Sequence, residues 1–304
     1  MVLYYTIHSY GDNMLFETLC EKVFYLCKDK YDYKSYSEEL ESQIFNLSKK
    51  ELMPLIIEAG SIPESIKHDS AEEKLYTRAT EIILAKSFQE IGLKAETIKK
   101  RSGCADVIAK SIFHKYTLVA DAKTFRLSRT AKNQKDFKVE AMDQWRKDNN
   151  YAVLICPYFQ YPKKTSQIFE QAITKNVLLF SWEHIHFLLE NDIVESDVLD
   201  LSFIWNQSKL LAQTITVDKS QNNFIETQNE NIVSSLGLQY KDFIDALNKS
   251  KEAIIHRSSK EISYWLDKLQ EIQNFSRETA IEELIATLKI HEKINAIRSY
   301  SNSL

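Results

Sequence analysis

Apolar residues recur every three to four positions over much of the first ninety residues, a spacing that predicts amphipathic helices. Residues 12–60 are predicted to be helical, and a longer helix is predicted over 71–91. Ser70 precedes that longer helix with Glu73 three residues later, a spacing typical of a capping box. Gly92 follows it and is the residue type that most often ends a helix.

Beyond residue 104 the apolar residues alternate with polar ones or form short continuous runs. Strands are predicted over 106–109, 116–123, 151–156 and 177–180. Helices are predicted over 134–148, 166–173 and 182–189. Strands that alternate with helices in this way predict an α/β fold.

The character of the chain changes again after residue 200. Residues 218–231 are strongly polar and show no periodicity, which predicts a surface loop or linker. Amphipathic helices are predicted again from residue 240 onward. We therefore divide the chain into an N-terminal helical region (1–62), a core (63–205), a polar loop or linker (206–239) and a C-terminal helical region (240–304).

Composition limits the function classes. The chain has 304 residues and a net charge of -4, which excludes a globally basic nucleic-acid coat, so any nucleic-acid site must be a local basic patch. Its 5 glycines and 4 prolines favour a helix-rich fold with few sharp turns.

The expected location is the cytoplasm. The longest apolar run is about six residues, against the ~20 needed to span a bilayer, and the first residues do not form a signal peptide. The four cysteines are scattered without a CxxC pair and are predicted to stay reduced thiols. We expect no membrane association.

Two acids and a lysine form the candidate catalytic set. Asp106 and Asp121 are separated by fourteen residues, enough for a hairpin that places them on adjacent strands. Lys123 lies two residues after Asp121 and therefore projects from the same face of its strand, while Ala122 points to the opposite, packed face. The two carboxylates and the ammonium group are thus predicted to converge.

This set suits metal-assisted phosphodiester hydrolysis. Mg²⁺ prefers oxygen ligands, and two carboxylates with a substrate phosphate are enough to hold it. A bound metal lowers the pKa of a coordinated water and neutralises charge on the phosphate. Lys123 is predicted to orient or deprotonate the attacking water, or to stabilise the transition state. Glu73, from the preceding helix, is predicted to assist.

A basic run follows the candidate set directly. From Lys123 to Lys138 a basic residue falls at every third position. Such side chains neutralise phosphates and read base edges, so this run predicts DNA binding. The predicted DNA contacts are Arg126, Arg129, Lys132, Asn133, Gln134, Lys135 and Lys138. Each feature has a common alternative, since the acid spacing arises by chance and basic runs are often only solvated surface, but together they favour a nuclease.

Residues 120–138 closely resemble the HindIII family of type II restriction endonucleases, within the PD-(D/E)xK superfamily. The segments 73–75, 160–162 and 176–184 resemble the same family. The resemblance implies a restriction-endonuclease-like α/β core, a mixed central sheet flanked by helices, with helical N-terminal and C-terminal extensions. Ala105 stands where the motif has proline.

The resemblance also implies the site residues. The family's active site falls on Asp106, Asp121 and Lys123, with Asp106, Asp121 and Ala122 as the metal ligands. The helix glutamate is assigned to Glu73, although Glu72 and Glu81 lie on the same predicted helix. The implied cofactor is Mg²⁺, for which Mn²⁺ can substitute.

The implied activity is hydrolysis of double-stranded DNA at the palindrome AAGCTT, after the first adenine, leaving 5′-phosphates on four-nucleotide overhangs. The implied partners are a second copy of the chain and a companion DNA methyltransferase. The helices around Trp265 are predicted to dimerise, to embrace DNA or simply to pack within the chain. Two alternatives stay open: a DNA-binding protein that kept the nuclease fold without cleavage, and a structure-specific nuclease.

Overall fold

The computed structural model describes residues 16–28, 32–99, 103–129, 134–163, 165–214 and 222–302. By its internal contacts the chain divides into two compact units, Met1–Ile255 and His256–Leu304. The first unit contains the sheet and every candidate site residue that is described.

Three helices precede the long one, as the apolar spacing predicts. They are α1 (Phe16–Cys27), α2 (Tyr33–Phe45) and α3 (Lys49–Ala59). The start of α2 is stabilised by the Asp32 carboxylate, which accepts hydrogen bonds from its first turn, and Ser48 and Glu51 form a capping box on α3. Residues 12–15 of the predicted helical region lie outside the described part of the chain.

Helix α4 (Ala71–Glu90) is the central helix of the first unit, and its bounds agree with the prediction to one residue. The Ser70 side chain accepts a hydrogen bond from the Glu73 N–H, so half of the predicted capping box is present. The second predicted hydrogen bond, from the Ser70 N–H to the Glu73 carboxylate, is wrong, because that carboxylate accepts from the Asp69 N–H instead. Gly92, with a φ of 91°, follows the helix in the left-handed conformation that glycine permits.

A five-stranded mixed sheet forms the core. Its strands are β1 (Leu93–Thr97), β2 (Val107–Ser111), β3 (Thr117–Ala122), β4 (Tyr151–Cys156) and β5 (Val177–Ser181), and they lie side by side in that order. The pairs β1–β2 and β2–β3 are antiparallel, whereas β3–β4 and β4–β5 are parallel. The mixed sheet is as predicted, but the sequence pattern does not predict β1.

The parallel strands are joined through helices, as crossover connections require. These helices are α5 (Gln134–Phe137), α6 (Val139–Arg146) and α7 (Gln167–Lys175), and α8 (Trp182–Glu190) follows the last strand. The single helix predicted over 134–148 is in fact two, because Lys138 adopts a left-handed φ of 52° that interrupts the helical hydrogen bonds.

Both faces of the sheet are covered. Leu118, Ala120 and Ala122 of β3 lie in one buried cluster with residues of α1–α4, and Val119 lies in a second with residues of α6 and α7. This alternation confirms that Ala122 faces the packed interior. The arrangement is the restriction-endonuclease-like α/β core that the sequence predicts.

The predicted polar loop over 206–239 is wrong for most of its length. Helices α10 (Gln207–Thr214) and α11 (Thr227–Ser235) occupy this region, with a π-helical turn over Asn222–Glu226, and α9 (Ser202–Trp205) lies just before it. Some of its polar residues are internal: Gln228 and Asn229 are fully buried, and Gln228 donates to the Leu179 carbonyl. Polar side chains that hydrogen-bond inside the protein produce no hydrophobic periodicity, so composition alone pointed to a loop.

Helices α12 (Tyr240–Gln273), α13 (Arg277–Thr287) and α14 (Ile290–Asn302) end the chain, as predicted. Several large apolar side chains of these helices are exposed, including Ile262, Trp265, Leu266 and Leu269. Their spacing of three and four residues places them on one face of α12. None of the helices in the described residues combines the length and the apolar character needed to cross a bilayer.

Candidate active site

The ends of two antiparallel strands bring Asp106 and Asp121 together. Val107 pairs with Ala120 across β2 and β3, so Asp106, one residue earlier, lies opposite Asp121. The Asp106 N–H donates to the Ala120 carbonyl at 3.0 Å. The Asp106 carboxylate in turn accepts a hydrogen bond of 2.8 Å from the Ala122 N–H. The hairpin expected from the sequence spacing therefore forms, and it places the first acid directly against the backbone of the second strand.

Lys123 and Asp121 lie on the same face of the strand end. Their side chains are largely buried and form an ion pair. The Lys123 N–H also donates to the Ile155 carbonyl of β4 at 2.7 Å, which anchors the backbone just after β3. The ammonium group is thus held beside the carboxylates, as the period of a strand predicts.

The acids of this cluster repel one another. Burial raises the pKa of Asp106 well above its ordinary range, and the negative charges of Asp121 and Glu81 raise it further. Lys123 acts in the opposite direction but does not offset them. Buried carboxylate oxygens with excess negative charge are the donor set that a hard divalent cation prefers. The residues present therefore fit a Mg²⁺ ion.

The helix acid of this cluster is Glu81 of α4. Burial raises the pKa of Glu81; the Arg78 guanidinium lowers it, and the charge of Asp121 raises it again. Arg78 donates to the Glu81 carboxylate at 2.7 Å. Glu81 is one of the alternatives to Glu73 that the sequence offers. The sequence pattern did not single out Arg78, although its position three residues before Glu81 on a helix indicates that the two side chains can pair.

Glu73, the predicted helix acid, has other partners. Its carboxylate accepts hydrogen bonds from Arg126 at 2.6 Å and from the Asp69 N–H at 2.8 Å, and it lies 3.1 Å from the His68 ring. Burial raises the pKa of Glu73, but these hydrogen bonds together bring it below the ordinary value. His68, Asp69 and Glu73 lie close enough to share a cation, although Arg126 already binds the Glu73 carboxylate.

The predicted DNA contacts fall into three groups. Arg126 is largely buried and also donates to the Pro63 carbonyl at 2.7 Å. Arg129, Lys135 and Lys138 are exposed, and Arg129 lies 3.5 Å from the Asp136 carboxylate. Lys132, Asn133 and the Gln134 side chain lie outside the described residues.

The start of the basic run is fixed to the segment that precedes α4. Phe125 exchanges backbone hydrogen bonds with this segment, donating to Gly60 at 2.9 Å and accepting from Ile62 at 3.1 Å. The Glu64 carboxylate accepts from both the backbone N–H and the hydroxyl of Ser128. The chain from Lys123 to Arg129 is therefore held in a defined path beside the acid cluster.

A cleft of about 1100 Å³ opens beside the acids. Its walls come from α2, α4 and the region around β1. Residues that line it include Ser37, Glu41, Arg78, Glu81, Cys104 and Asp106. Asp106 and Glu81 of the acid cluster therefore border this cleft.

A mixed five-stranded sheet, with two aspartates and a lysine at the ends of neighbouring strands and a basic run directly after them, defines a restriction-endonuclease-like nuclease. The model of the HindIII restriction endonuclease family matches residues 17–301. The chain is 42% identical over 269 residues to the type II restriction enzyme HindIII of Haemophilus influenzae, covering 88% of this chain and 90% of that one. The chain therefore belongs to the HindIII restriction endonuclease family and is a type II restriction endonuclease.

Proposed function

We propose that this chain hydrolyses double-stranded DNA at AAGCTT, after the first adenine, in a Mg²⁺-dependent reaction that leaves 5′-phosphates on four-nucleotide overhangs. The observation that carries the hydrolytic part is the convergence of Asp106, Asp121 and Lys123 at one end of the sheet. The target sequence rests on the resemblance through residues 120–138, which hold the predicted DNA contacts.

The metal ligands are Asp106, Asp121 and the Ala122 backbone. When bound there, Mg²⁺ or Mn²⁺ would lower the pKa of a water molecule and neutralise charge on the scissile phosphate. Asp106 is held for this task by the hydrogen bond from the Ala122 N–H. Lys123 orients the attacking water or donates to the phosphate oxygens, since it is the cation held against Asp121.

We assign the helix acid of the reaction to Glu81 in place of Glu73. Two observations support the exchange: the charge of Glu81 acts on Asp106, and the Glu73 carboxylate is bound by Arg126. Glu81 adds the third negative charge of the cluster, which strengthens its attraction for a divalent cation.

The basic run supplies the DNA contacts. Arg129, Lys135 and Lys138 are exposed and suited to phosphates, and Arg126 is held where a rigid guanidinium can bind a phosphate or a guanine edge. Lys132, Asn133 and Gln134 remain predicted contacts from the sequence alone.

The active form is proposed to be a homodimer in the cytoplasm, with the host DNA protected by a companion methyltransferase. A two-fold dimer presents the same residues to each half of a palindrome. The proposed dimerisation surface is the exposed apolar face of α12 around Trp265. Sedimentation of the protein and of its Trp265→Glu variant tests this: the variant should become monomeric, and a monomeric wild type contradicts it.

The activity is tested by digesting unmethylated phage DNA with the purified protein, in Mg²⁺ and in EDTA, and sequencing the fragment ends. Mg²⁺-dependent fragments that share AGCTT at their 5′ ends are expected. Discrete fragments that share a different end sequence would support site-specific cleavage but overturn the proposed target sequence. Fragments without a shared end would favour a structure-specific nuclease. Intact DNA that is nevertheless retarded in a gel would favour a binding protein without cleavage.

A further inference from the structure

Arg78 is a buried charged residue with three hydrogen-bonded partners from three elements. Its exposed fraction is 6%. It donates to the Glu81 carboxylate of its own helix at 2.7 Å, to the Ser37 hydroxyl of α2 at 3.0 Å and to the Thr97 hydroxyl of β1 at 2.6 Å. A guanidinium presents its donors in a fixed planar arrangement, so three such partners determine its orientation.

A further acid completes this network. The Thr97 hydroxyl donates to the Glu41 carboxylate of α2 at 2.8 Å, and that carboxylate lies 4.0 Å from the Arg78 guanidinium. Arg78 is therefore held between Glu41 on one side and Glu81 on the other. Removing the charge of a buried residue in such a network disturbs every partner it holds.

The same network borders the acid cluster. Arg78, Glu41 and Glu81 line the cleft that Asp106 also lines. Arg78 binds one oxygen of the Glu81 carboxylate, and the spacing of three residues on a helix places both side chains on one face. Within the described residues, Arg78 and Lys123 are the cations whose charges lower the pKa of Glu81.

We infer that Arg78 is a positioning residue, which fixes the Glu81 carboxylate toward Asp106 and Asp121 and supplies positive charge that allows the acids to lie together. The inference rests on the proposed role of Glu81. Arg78 does not touch the reacting atoms, so its contribution to cleavage passes through Glu81. Outer partners of metal-binding acids act in this way when they hold a ligand in its binding orientation.

The first experiment compares Arg78→Gln and Arg78→Lys with wild type in single-turnover cleavage over a range of Mg²⁺ concentrations. Arg78→Gln is expected to cleave roughly 10- to 100-fold more slowly and to need about tenfold more Mg²⁺ for half its maximal rate. Arg78→Lys keeps the charge but not the planar donors, so its cleavage rate and its Mg²⁺ requirement should lie between those of Arg78→Gln and wild type. An unchanged Mg²⁺ requirement in both variants overturns the inference.

Arg146→Gln is the matched control. Arg146 is a partly buried arginine that pairs with an acid three residues away, Asp143, on α6. The control variant is expected to cleave with the wild-type rate and Mg²⁺ requirement. Thermal unfolding of all variants by circular dichroism identifies any that fail to fold. If Arg78→Gln does not fold, Thr97→Val, which removes one partner of Arg78, should still raise the Mg²⁺ requirement, and an unchanged requirement overturns the inference.

A double-mutant cycle with Glu81→Gln tests the route of the effect. If Arg78 acts through Glu81, adding Arg78→Gln to Glu81→Gln should slow cleavage by less than about threefold further. A second full loss would show an independent role and overturn the inference. The Ca²⁺ dependence of DNA binding, measured by fluorescence anisotropy, should shift in the same non-additive way. Failure of wild-type cleavage in Mg²⁺ would instead overturn the proposed function, which keeps the two results distinct.

Discussion

Two glutamates on helix α4 are close in sequence but differ in their partners and in the direction of their pKa shifts. Glu73 lies in the first turn and has a pKa below its ordinary value because Arg126, His68 and the Asp69 N–H bind its carboxylate. Glu81 lies two turns later and has a pKa above its ordinary value because burial and Asp121 outweigh Arg78. Two residues of the same type on one helix therefore serve two different regions of the molecule.

The difference follows from helix geometry. Eight residues advance a helix by about 12 Å, so the two carboxylates cannot reach the same ion. The first turn of α4 is joined to the basic run through Arg126, and the middle turn is joined to the acid cluster through the charge of Glu81. One helix thus connects the predicted DNA-contact region to the predicted catalytic region.

The largest expected effect comes from the acid cluster itself. Asp121→Asn removes a metal ligand and Lys123→Ala removes the adjacent cation, so each should slow cleavage by at least about 1000-fold. Single-turnover cleavage of a duplex that contains AAGCTT measures this. DNA binding in Ca²⁺ should stay within a few-fold of wild type. Wild-type cleavage in either variant would contradict the site assignment.

The second-largest expected effect is a difference in cleavage rate between substitutions of Glu81 and of Glu73. Glu81→Gln should slow cleavage by about 100-fold because it removes charge from the metal site, whereas Glu73→Gln should slow it by less than about tenfold. The two substitutions are matched in chemistry and lie on one helix, so each controls for the other. Equal losses, or the larger loss in Glu73→Gln, would restore Glu73 as the helix acid.

Substitutions of Arg126 and of its ion-pair partner Glu73 should have different effects on DNA affinity. Arg126→Gln removes a guanidinium from the basic run and is expected to weaken binding to the target duplex by roughly 5- to 150-fold. Glu73→Gln leaves Arg126 in place and removes a competing carboxylate, so binding should be unchanged or tighter. Anisotropy titrations in Ca²⁺ at two salt concentrations measure both. Equal weakening in the two variants would mean that Arg126 only supports the fold.

The smallest expected effect is on stability, and it has opposite signs for the two glutamates. The lowered pKa of Glu73 means that its carboxylate stabilises the fold above its ordinary pKa, and this is lost as the pH falls through the lowered value. The raised pKa of Glu81 means that its contribution is present below the ordinary pKa and lost as the pH rises through the raised value.

At pH 8 in EDTA, Glu73→Gln should therefore lower the melting temperature, and Glu81→Gln should raise it, by about 2 °C each. The amide oxygen that Glu81→Gln introduces can still accept the hydrogen bond from Arg78. Both differences should shrink as the pH falls, that of Glu81 below its raised pKa and that of Glu73 only as the pH passes through its lowered pKa. Calorimetric melting temperatures that shift in the same direction at pH 8 would contradict this difference in environment.

Elements with a clear apolar pattern were predictable. Strand β4, a continuous apolar run, was predicted with its observed bounds, and α4 to within one residue. Strand β1 was missed because its five residues include Lys94 and Glu96 on the exposed face, which gives a weak signal for so short an element. Helix α11 was missed because Gln228 and Asn229 make their hydrogen bonds inside the protein.

The sequence by itself determined the convergence of Asp106, Asp121 and Lys123, since a strand alternates with period two and a hairpin aligns its ends. Only the tertiary structure decided the rest of the site. The choice between Glu73 and Glu81, the capture of Arg126 by Glu73, and the orientation of Arg78 all depend on which elements pack beside α4. Such contacts join residues that are far apart along the chain, and local periodicity carries no information about those distances.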